Sequence, residues 1–522
     1  MPVDRRLMLA FEGETVTAEV RALFAGTDAA GVTLFGPDNV RNIAQVRDLC
    51  EELQALAGDR RPLLIAVDQE GGQLLGLGAE STPFAGNMAL GAVGEEDLAE
   101  HVGAAIGREL RAAGVNVNYA PVADVATDPG NPSLGIRSFG DDPAAVGRLA
   151  AATVRGLRSA GVAATLKHFP GKGDAAVDPH HAIPRLDHDR ARLRSVELPP
   201  FRAGIRAGAD LVMIGHYDVP QVTGRPGLPS SLSEAIVTGV LRDELRFGGV
   251  VISDALDMGA LPQDSYRAID ALAALRAGVD LLLLTADPAL REGIRDGLRR
   301  ADHRGLLDGA EVSERRVQAL RLWLGSFEDP PIDVVGSDEH RTLARELAER
   351  SVTLVRDDAA VLPLSTDARI AAVMPAPRDL TPADTSSTVA AGLDAALRRH
   401  ADRVDAFVTG HPPTAREIAS LRDQAGDHDV FVVGTIDAFR DPRQADLVGA
   451  LVETGVPVVA AALRTPFDLA AYPQARTYTC TYGILPPSLE ALADALFGRL
   501  PFRGRLPAAI PGLYETGHGI RP

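Results

Sequence analysis

At 522 residues the chain is longer than one ordinary hydrophobic core supports, so two domains are expected. Its 46% hydrophobic and 24% charged content excludes wholesale disorder, and a formal net charge of −18 with a pI near 5.2 excludes nucleic acid and anionic membrane surfaces as natural partners. A small or neutral ligand fits this charge better.

The first residues carry Arg5 and Arg6, but the apolar run that follows, Leu7 to Phe11, stops at Glu12. That is too short for a signal peptide or a membrane span, and the expectation is a cytoplasmic protein. Cys50 and Cys480 lie far apart in the chain, which argues against a disulfide framework.

From residue 6 to about residue 300, short apolar runs alternate with helix-patterned segments. Eight strands are predicted: 7–11, 31–35, 63–67, 115–119, 162–166, 211–214, 250–252 and 279–284. Several follow a helical segment that runs into glycine, as in Ala113-Gly114, Ala160-Gly161, Ala207-Gly208, Gly248-Gly249 and Ala277-Gly278. Glycine takes the left-handed cap that ends a helix, and the apolar run after it reads as a strand buried on both faces. Eight such units make a (β/α)8 barrel, assigned to residues 1–325. Ser231-Leu232-Ser233-Glu234 reads as a capping box opening the helix before the seventh strand. Residues 326–345, with a proline pair and a run of acids, read as a linker. Residues 346–522 then show strand signals at 352–355, 370–374, 404–408, 430–433, 456–463 and 477–481, separated by helical segments such as 388–399 and 446–453. This alternation predicts an open α/β sandwich.

A barrel builds its active site at the C-terminal ends of its strands, so the polar residues there carry the functional information. Strand 3 ends in Asp68-Gln69-Glu70-Gly71-Gly72, strand 5 in Lys167-His168, strand 6 in His216, and strand 7 in Ser253-Asp254; Asp124 and Arg137 follow strand 4. Any one of these also suits a residue reaching for water. Five strand ends converging on one face favour a site. After strand 5 the segment 167–184 holds three prolines and two glycines, which makes it an irregular excursion, and the Asp178-x-His180 spacing lets a carboxylate orient an imidazole for proton transfer. A polar surface loop has a similar composition. Asp254, directly after a Val-Val-Ile-Ser run, is placed to act as a nucleophile. Asp68, Arg137, Lys167 and His168 supply donors and acceptors suited to sugar hydroxyls.

Together these stretches resemble glycoside hydrolase family 3, in its β-N-acetylglucosaminidase branch. The resemblance rests on Lys167 to Pro184 (Lys-His-Phe-Pro-Gly-x-Gly-Asp, then Asp-x-His and a later Pro), on Val251 to Met258, on Asp68 to Gly72, and on Arg137 to Gly140. Ser351 to Val355, Pro466-Phe467-Asp468 and Gly504 to Pro507 are similar to the second domain of longer members. The resemblance implies a retaining hydrolase that removes terminal β-linked N-acetylglucosamine from short glycosides such as muropeptide or chitooligosaccharide fragments. It further implies Asp254 as nucleophile, His180 as acid/base tuned by Asp178, and Asp68, Arg137, Lys167 and His168 holding the sugar. It implies no cofactor and no metal. His181 is read as structural. Two residues depart from the pattern: Lys172 stands where many members carry a histidine, and Pro179 stands between Asp178 and His180.

Other readings remain open at this level. A histidine acid/base does not repel phosphate, so inorganic phosphate is an alternative acceptor and phosphorolysis an alternative reaction. A β-glucosidase is a further one. A metal-dependent barrel hydrolase using His168, Asp174, Asp178, His180 and His216, and a non-catalytic sugar-binding protein, fit the residues less well. The low aromatic content, 4% with the single Trp323, favours a short substrate over a polymer.

Overall fold

The computed structural model describes residues 3–58, 62–261, 267–307 and 309–521. Eight strands, β1 (Leu7–Leu9), β2 (Gly31–Thr33), β3 (Leu64–Val67), β4 (Val117–Asn118), β5 (Ala163–Phe169), β6 (Leu211–Ile214), β7 (Val250–Ser253) and β8 (Leu282–Leu283), form one all-parallel sheet. β8 pairs with β1, and the bridge between Ile252 and Leu281 brings β7 against β8 and closes the barrel. Each strand falls on one of the eight apolar runs.

Strand geometry explains why those runs are apolar throughout. Side chains alternate across a strand, so Met8, Leu64, Ala66, Leu211, Met213, Val250 and Ile252 fill the barrel, while Leu7, Leu9, Ile65, Val67, Val212 and Val251 pack outward against the helices. Both faces are dry, so polar side chains gather towards the C-terminal ends of the strands; β5 runs three residues past its apolar run and carries the buried Lys167 and His168 before it stops at Phe169.

Gly114, Gly161, Gly208 and Gly278 have positive φ, as expected of helix-ending residues. The Gly248-Gly249 pair does not. There the left-handed residue is Arg246, and Gly249 is required by close packing, since a Cβ on it would lie 2.5 Å from the Asp210 carbonyl oxygen. The expected capping box at Ser231 is also absent. The Ser231 hydroxyl donates to His216 Nδ1 at 2.6 Å, and the helix that follows, Ala235–Glu244, is π-wound with no side-chain cap.

The second sheet has six strands, β9 (Thr353–Asp357), β10 (Ile370–Pro375), β11 (Val404–Thr409), β12 (Val430–Thr435), β13 (Val458–Ala462) and β14 (Thr477–Cys480). Their order is β9-β14-β13-β12-β10-β11, with β9 antiparallel to β14 and the other pairs parallel. Ile370, Ala372, Met374, Val430 and Val432 pack with Leu489, Leu492 and Leu496 of the helix Pro486–Leu496, while Val373, Phe431 and Val433 join the opposite core with Leu447 and Leu451 of the helix Pro442–Val452. Helices on both faces make this an α/β sandwich.

The helix Asp338–Ser351 begins inside the stretch expected to be a linker, and it joins the two halves of the chain. Glu109, buried on a barrel helix, accepts from His340 Nδ1 (2.8 Å), from the Gly336 N–H (3.0 Å) and from Thr82. A buried carboxylate satisfied from both sides locks this junction better than a flexible tether would.

Candidate active site

A cavity of about 480 Å3 opens at the C-terminal ends of the barrel strands, within the roughly 300–1,000 Å3 range of small-molecule sites. Six of the seven expected site residues line it: Asp68, Arg137, Lys167, His168, His180 and Asp254. The seventh, Asp178, stands behind His180. Phe35 is the one Phe, Tyr or Trp on the wall among the described residues.

Its floor is an ionic knot. Asp68 is the first residue after β3, and Glu70 follows on a hairpin formed by Gln69–Gly71 and Leu74–Leu75. Lys167, on β5, places Nζ 2.5 Å from Asp68 Oδ1 and 2.6 Å from Glu70 Oε1. Arg137 grips Glu70 with two bonds, Nε to Oε2 at 2.9 Å and Nη2 to Oε1 at 2.8 Å, and donates through Nη1 to the Ser133 carbonyl. Burial by itself would raise the Glu70 carboxyl, but Arg137 and Lys167 outweigh it and hold it at about 2. Asp68 moves the other way: burial raises it more than Lys167 lowers it, and the Glu70 charge adds to the rise.

His168 is placed against the knot by Asp124. Burial, with Lys172, Arg137 and Lys167 nearby, drives the imidazole well below its ordinary value of 6.5, so it is neutral. Neutral His168 then donates from Nδ1 to Asp124 Oδ2 at 2.8 Å and accepts at Nε2 from Arg137 Nη2 at 3.4 Å. Burial pushes Asp124 up to about 6 in spite of Lys172 and its N–H.

The cavity wall also holds the other candidates, His180 and Asp254. Asp178 Oδ1 accepts from both the backbone N–H and Nδ1 of His180, at 3.0 and 2.7 Å. Burial would raise Asp178, yet these bonds bring it down to about 2. The dyad leaves Nε2 of His180 without a hydrogen-bond partner among the described residues. Asp254 follows β7; its N–H donates to the Ile214 carbonyl, and its Oδ1 accepts from the Ala255 N–H at 2.9 Å. His216, kept neutral by burial, accepts from Ser231 and donates from Nε2 to the Ala255 carbonyl at 3.1 Å, so it fixes the peptide next to Asp254.

Two backbone bonds tie these loops together, from the Gly259 N–H to the His180 carbonyl (3.1 Å) and from the Ala260 N–H to the Pro179 carbonyl (3.0 Å). A Cβ on Gly259 would sit 2.7 Å from the carbonyl oxygens of His180 and His181, so only glycine fits there. His181 is exposed.

The sequence did not reveal what the second domain adds. Pro382, Ala383, Asp384 and Thr385 line the cavity. Arg464 holds their loop by pairing with both oxygens of Asp384, at 2.9 and 2.7 Å, and by a bond to Ser386. The Thr385 N–H donates to the Gln73 carbonyl, and the Leu75 N–H to Thr385 Oγ1, which fastens the loop to the barrel hairpin. The stretch Gly504 to Pro507 props the loop that carries Arg137: the Asp141 N–H donates to the Pro507 carbonyl, whose oxygen a Cβ on Gly140 would meet at 2.2 Å. Proline and arginine signals of this kind carry no address in the sequence, because Arg464 finds its partner 80 residues away and Pro507 finds Asp141 more than 300 residues away.

The set considered for a metal is dispersed. Asp174 pairs with His188 Nε2 at 2.8 Å and His216 is held by Ser231 and Ala255; among the described residues no group of three or more His, Cys, Asp or Glu is arranged to hold a metal ion. No helix among them is long and apolar enough to cross a membrane.

Comparison with known proteins agrees with this architecture. Residues 7–322 match the model of the glycosyl hydrolase family 3 N-terminal domain. The chain belongs to glycosyl hydrolase family 3. A family 3 β-N-acetylglucosaminidase from Paenibacillus sp. str. FPU-7 superposes with a TM-score of 0.92 at 35% identity, covering 98% of each chain. A protein of Cellulomonas fimi named β-N-acetylglucosaminidase/β-glucosidase is 32% identical over 501 residues, 87% of this chain and 85% of its own length. The β-hexosaminidase A of Pseudoalteromonas piscicida is 36% identical over 385 residues, 68% of this chain but 64% of that longer protein.

Proposed function

We infer that this family 3 protein is a retaining β-N-acetylhexosaminidase that releases terminal N-acetylglucosamine from short glycosides. The observation that carries the reading is that Asp254 and the His180 of the His180–Asp178 dyad line one cavity, together with the hydrogen-bonding groups Asp68, Arg137, Lys167 and His168. Asp254 attacks the anomeric carbon and displaces the leaving oxygen, to which His180 gives the proton on Nε2. The glycosyl ester on Asp254 then breaks when water attacks, with His180 taking back a proton. Asp178 holds the imidazole through Nδ1 and stabilises its charged form. Asp68, Arg137, Lys167 and His168 orient the ring. The β-hexosaminidase A of Pseudoalteromonas piscicida and the Paenibacillus β-N-acetylglucosaminidase support the N-acetyl preference, while the Cellulomonas fimi relative is named for both activities.

Phosphorolysis is the second reading, favoured by an acid/base that is a histidine and so carries no negative charge against an incoming phosphate. Turnover of aryl β-N-acetylglucosaminide beside the matching β-glucoside, each with and without inorganic phosphate, tests both. Free N-acetylglucosamine in either buffer supports hydrolysis. A sugar 1-phosphate with a phosphate-dependent rate would replace hydrolysis by phosphorolysis, and silence on both substrates would sink the enzyme reading.

A further inference from the structure

Lys172 lines the cavity but belongs to neither the knot nor the dyad. It is 1% exposed, and among the described residues its ammonium has a single hydrogen-bond partner, the neutral Ser133 Oγ at 3.2 Å, with no carboxylate within ion-pair distance. A buried ammonium has three donors to satisfy, and its loss of hydration is not offset by one hydroxyl.

The position is nonetheless built. The Lys172 N–H donates to Asp124 Oδ1 at 2.9 Å, and its carbonyl accepts from Asn131 Nδ2 at 2.7 Å. The same Asn131 amide reaches the Gly173 carbonyl, and its Oδ1 caps the N–H groups of Ser133 and Leu134, so one side chain joins the two loops that present Lys172 and Ser133. Gly173 packs so closely that a Cβ would lie 1.8 Å from the Val125 carbonyl oxygen. The backbone therefore cannot swing the ammonium away.

We propose that Lys172 is a specificity-determining residue whose ammonium donates to the carbonyl oxygen of an acylamino substituent on the ring carbon next to the anomeric carbon. The proposal rests on the reading of Asp254 and His180 given above. Its placement follows from the cavity: Lys172 lines it together with His180 and Asp254, whose chemistry is at the anomeric carbon, so the substituent assigned to it is the neighbouring one. A neutral oxygen suits the surroundings better than an anion does. Asp124, Asp178 and Asp254 all face the ammonium, whereas Arg137 and Lys167 are already paired with Glu70 and Asp68, so a phosphate would meet three carboxylates and one open cation. An amide carbonyl accepts from the ammonium without that repulsion.

Burial lowers Lys172 to about 8, Arg137 adds to the fall, and the three carboxylates oppose it. Lys172 is therefore charged at neutral pH and loses its proton as pH rises through about 8.

The test is the ratio of kcat/KM for an aryl β-N-acetylglucosaminide to that for the matching aryl β-glucoside, measured from pH 6.5 to 9 for wild type, Lys172→Met and Lys172→Gln, with thermal melting as a check on folding. The ratio is expected to fall about 30-fold in Lys172→Met and less in Lys172→Gln, which keeps a donor. In wild type it should fall as pH rises through about 8, and in Lys172→Met it should stay flat. The wild-type pH series needs no substitution, so it decides the matter even if a variant is unstable. Equal losses on both substrates, an unchanged ratio, or loss of a phosphate-dependent rate alone would overturn the proposal while leaving the enzyme reading intact. A wild type without N-acetyl preference would overturn that reading, and the proposal with it.

Discussion

The floor of the cavity and its reactive wall are built on opposite electrostatic rules. On one, Glu70, Arg137, Lys167 and Asp68 are nearly fully paired, with three of the four side chains 3% exposed or less. On the other, His180 keeps one ring nitrogen open, Asp254 spends one oxygen on its own loop, and Lys172 has one neutral partner. The knot is a scaffold held by charge, and the open wall holds its reactive groups by backbone contacts instead. Removing Glu70, the buried anion at the centre of the knot, should therefore cost stability, and substitutions on the open wall should cost turnover at constant stability.

The largest expected effect tests the open wall. Asp254→Asn should lower kcat by on the order of 10⁴-fold or more with every leaving group, without a matching loss in melting temperature. A variant that keeps a tenth of wild-type activity would remove Asp254 from the reaction. Glu70→Gln should instead destabilise the fold by about 3–5 kcal/mol, because it leaves the buried Arg137 without its carboxylate and Lys167 with Asp68 as its remaining anion. Chemical denaturation measures this directly, and a loss under 1 kcal/mol would mean the knot is not a scaffold. The same variant sharpens the comparison through pH. The Glu70 carboxyl falls from 4.5 to about 2 on folding, so its contribution is complete above about pH 4.5 and is lost as pH falls towards 2. Acid unfolding of Glu70→Gln should lack that part of the slope.

His180→Ala should slow poor leaving groups by roughly 10²–10⁴-fold and activated aryl ones far less. A uniform loss would show that His180 is not the proton donor. The smallest effect is expected at the second domain. Arg464→Met frees Asp384 and loosens Pro382 to Thr385, which should raise KM several-fold with kcat little changed. A fall in kcat alone, with KM constant, would mean that this loop does not position the substrate.

Much of this was legible from residues alone. Fourteen strand signals fell where strands form; the barrel strands are legible because strands buried on both faces are mostly apolar and turn polar towards their ends, whereas the edge strand Val404–Thr409 is largely exposed. That rule also exposed Asp68, Lys167, His168 and Asp254 as strand-end residues. Other assignments failed for a common reason. Ser231 looked like a helix cap but is taken by His216, fifteen residues earlier. Arg464 lies in none of the motifs read from the sequence, yet it holds a loop of the cavity wall through Asp384. Glu70 was visible inside a motif without showing that it is the anion that unites Arg137 and Lys167.

The sequence by itself therefore determined the alternation of strand and helix, the face on which polar groups gather, and the Asp178–His180 pairing, all set by spacings of a few residues along one chain. The tertiary structure alone decided which charges are paired and which stay open, that Pro382 to Thr385 complete the cavity, and that Pro507 props the Arg137 loop. Hydrogen bonds and ion pairs act over about 3 Å in space whatever the separation along the chain, so partners 60 to 370 residues apart leave no local pattern to read.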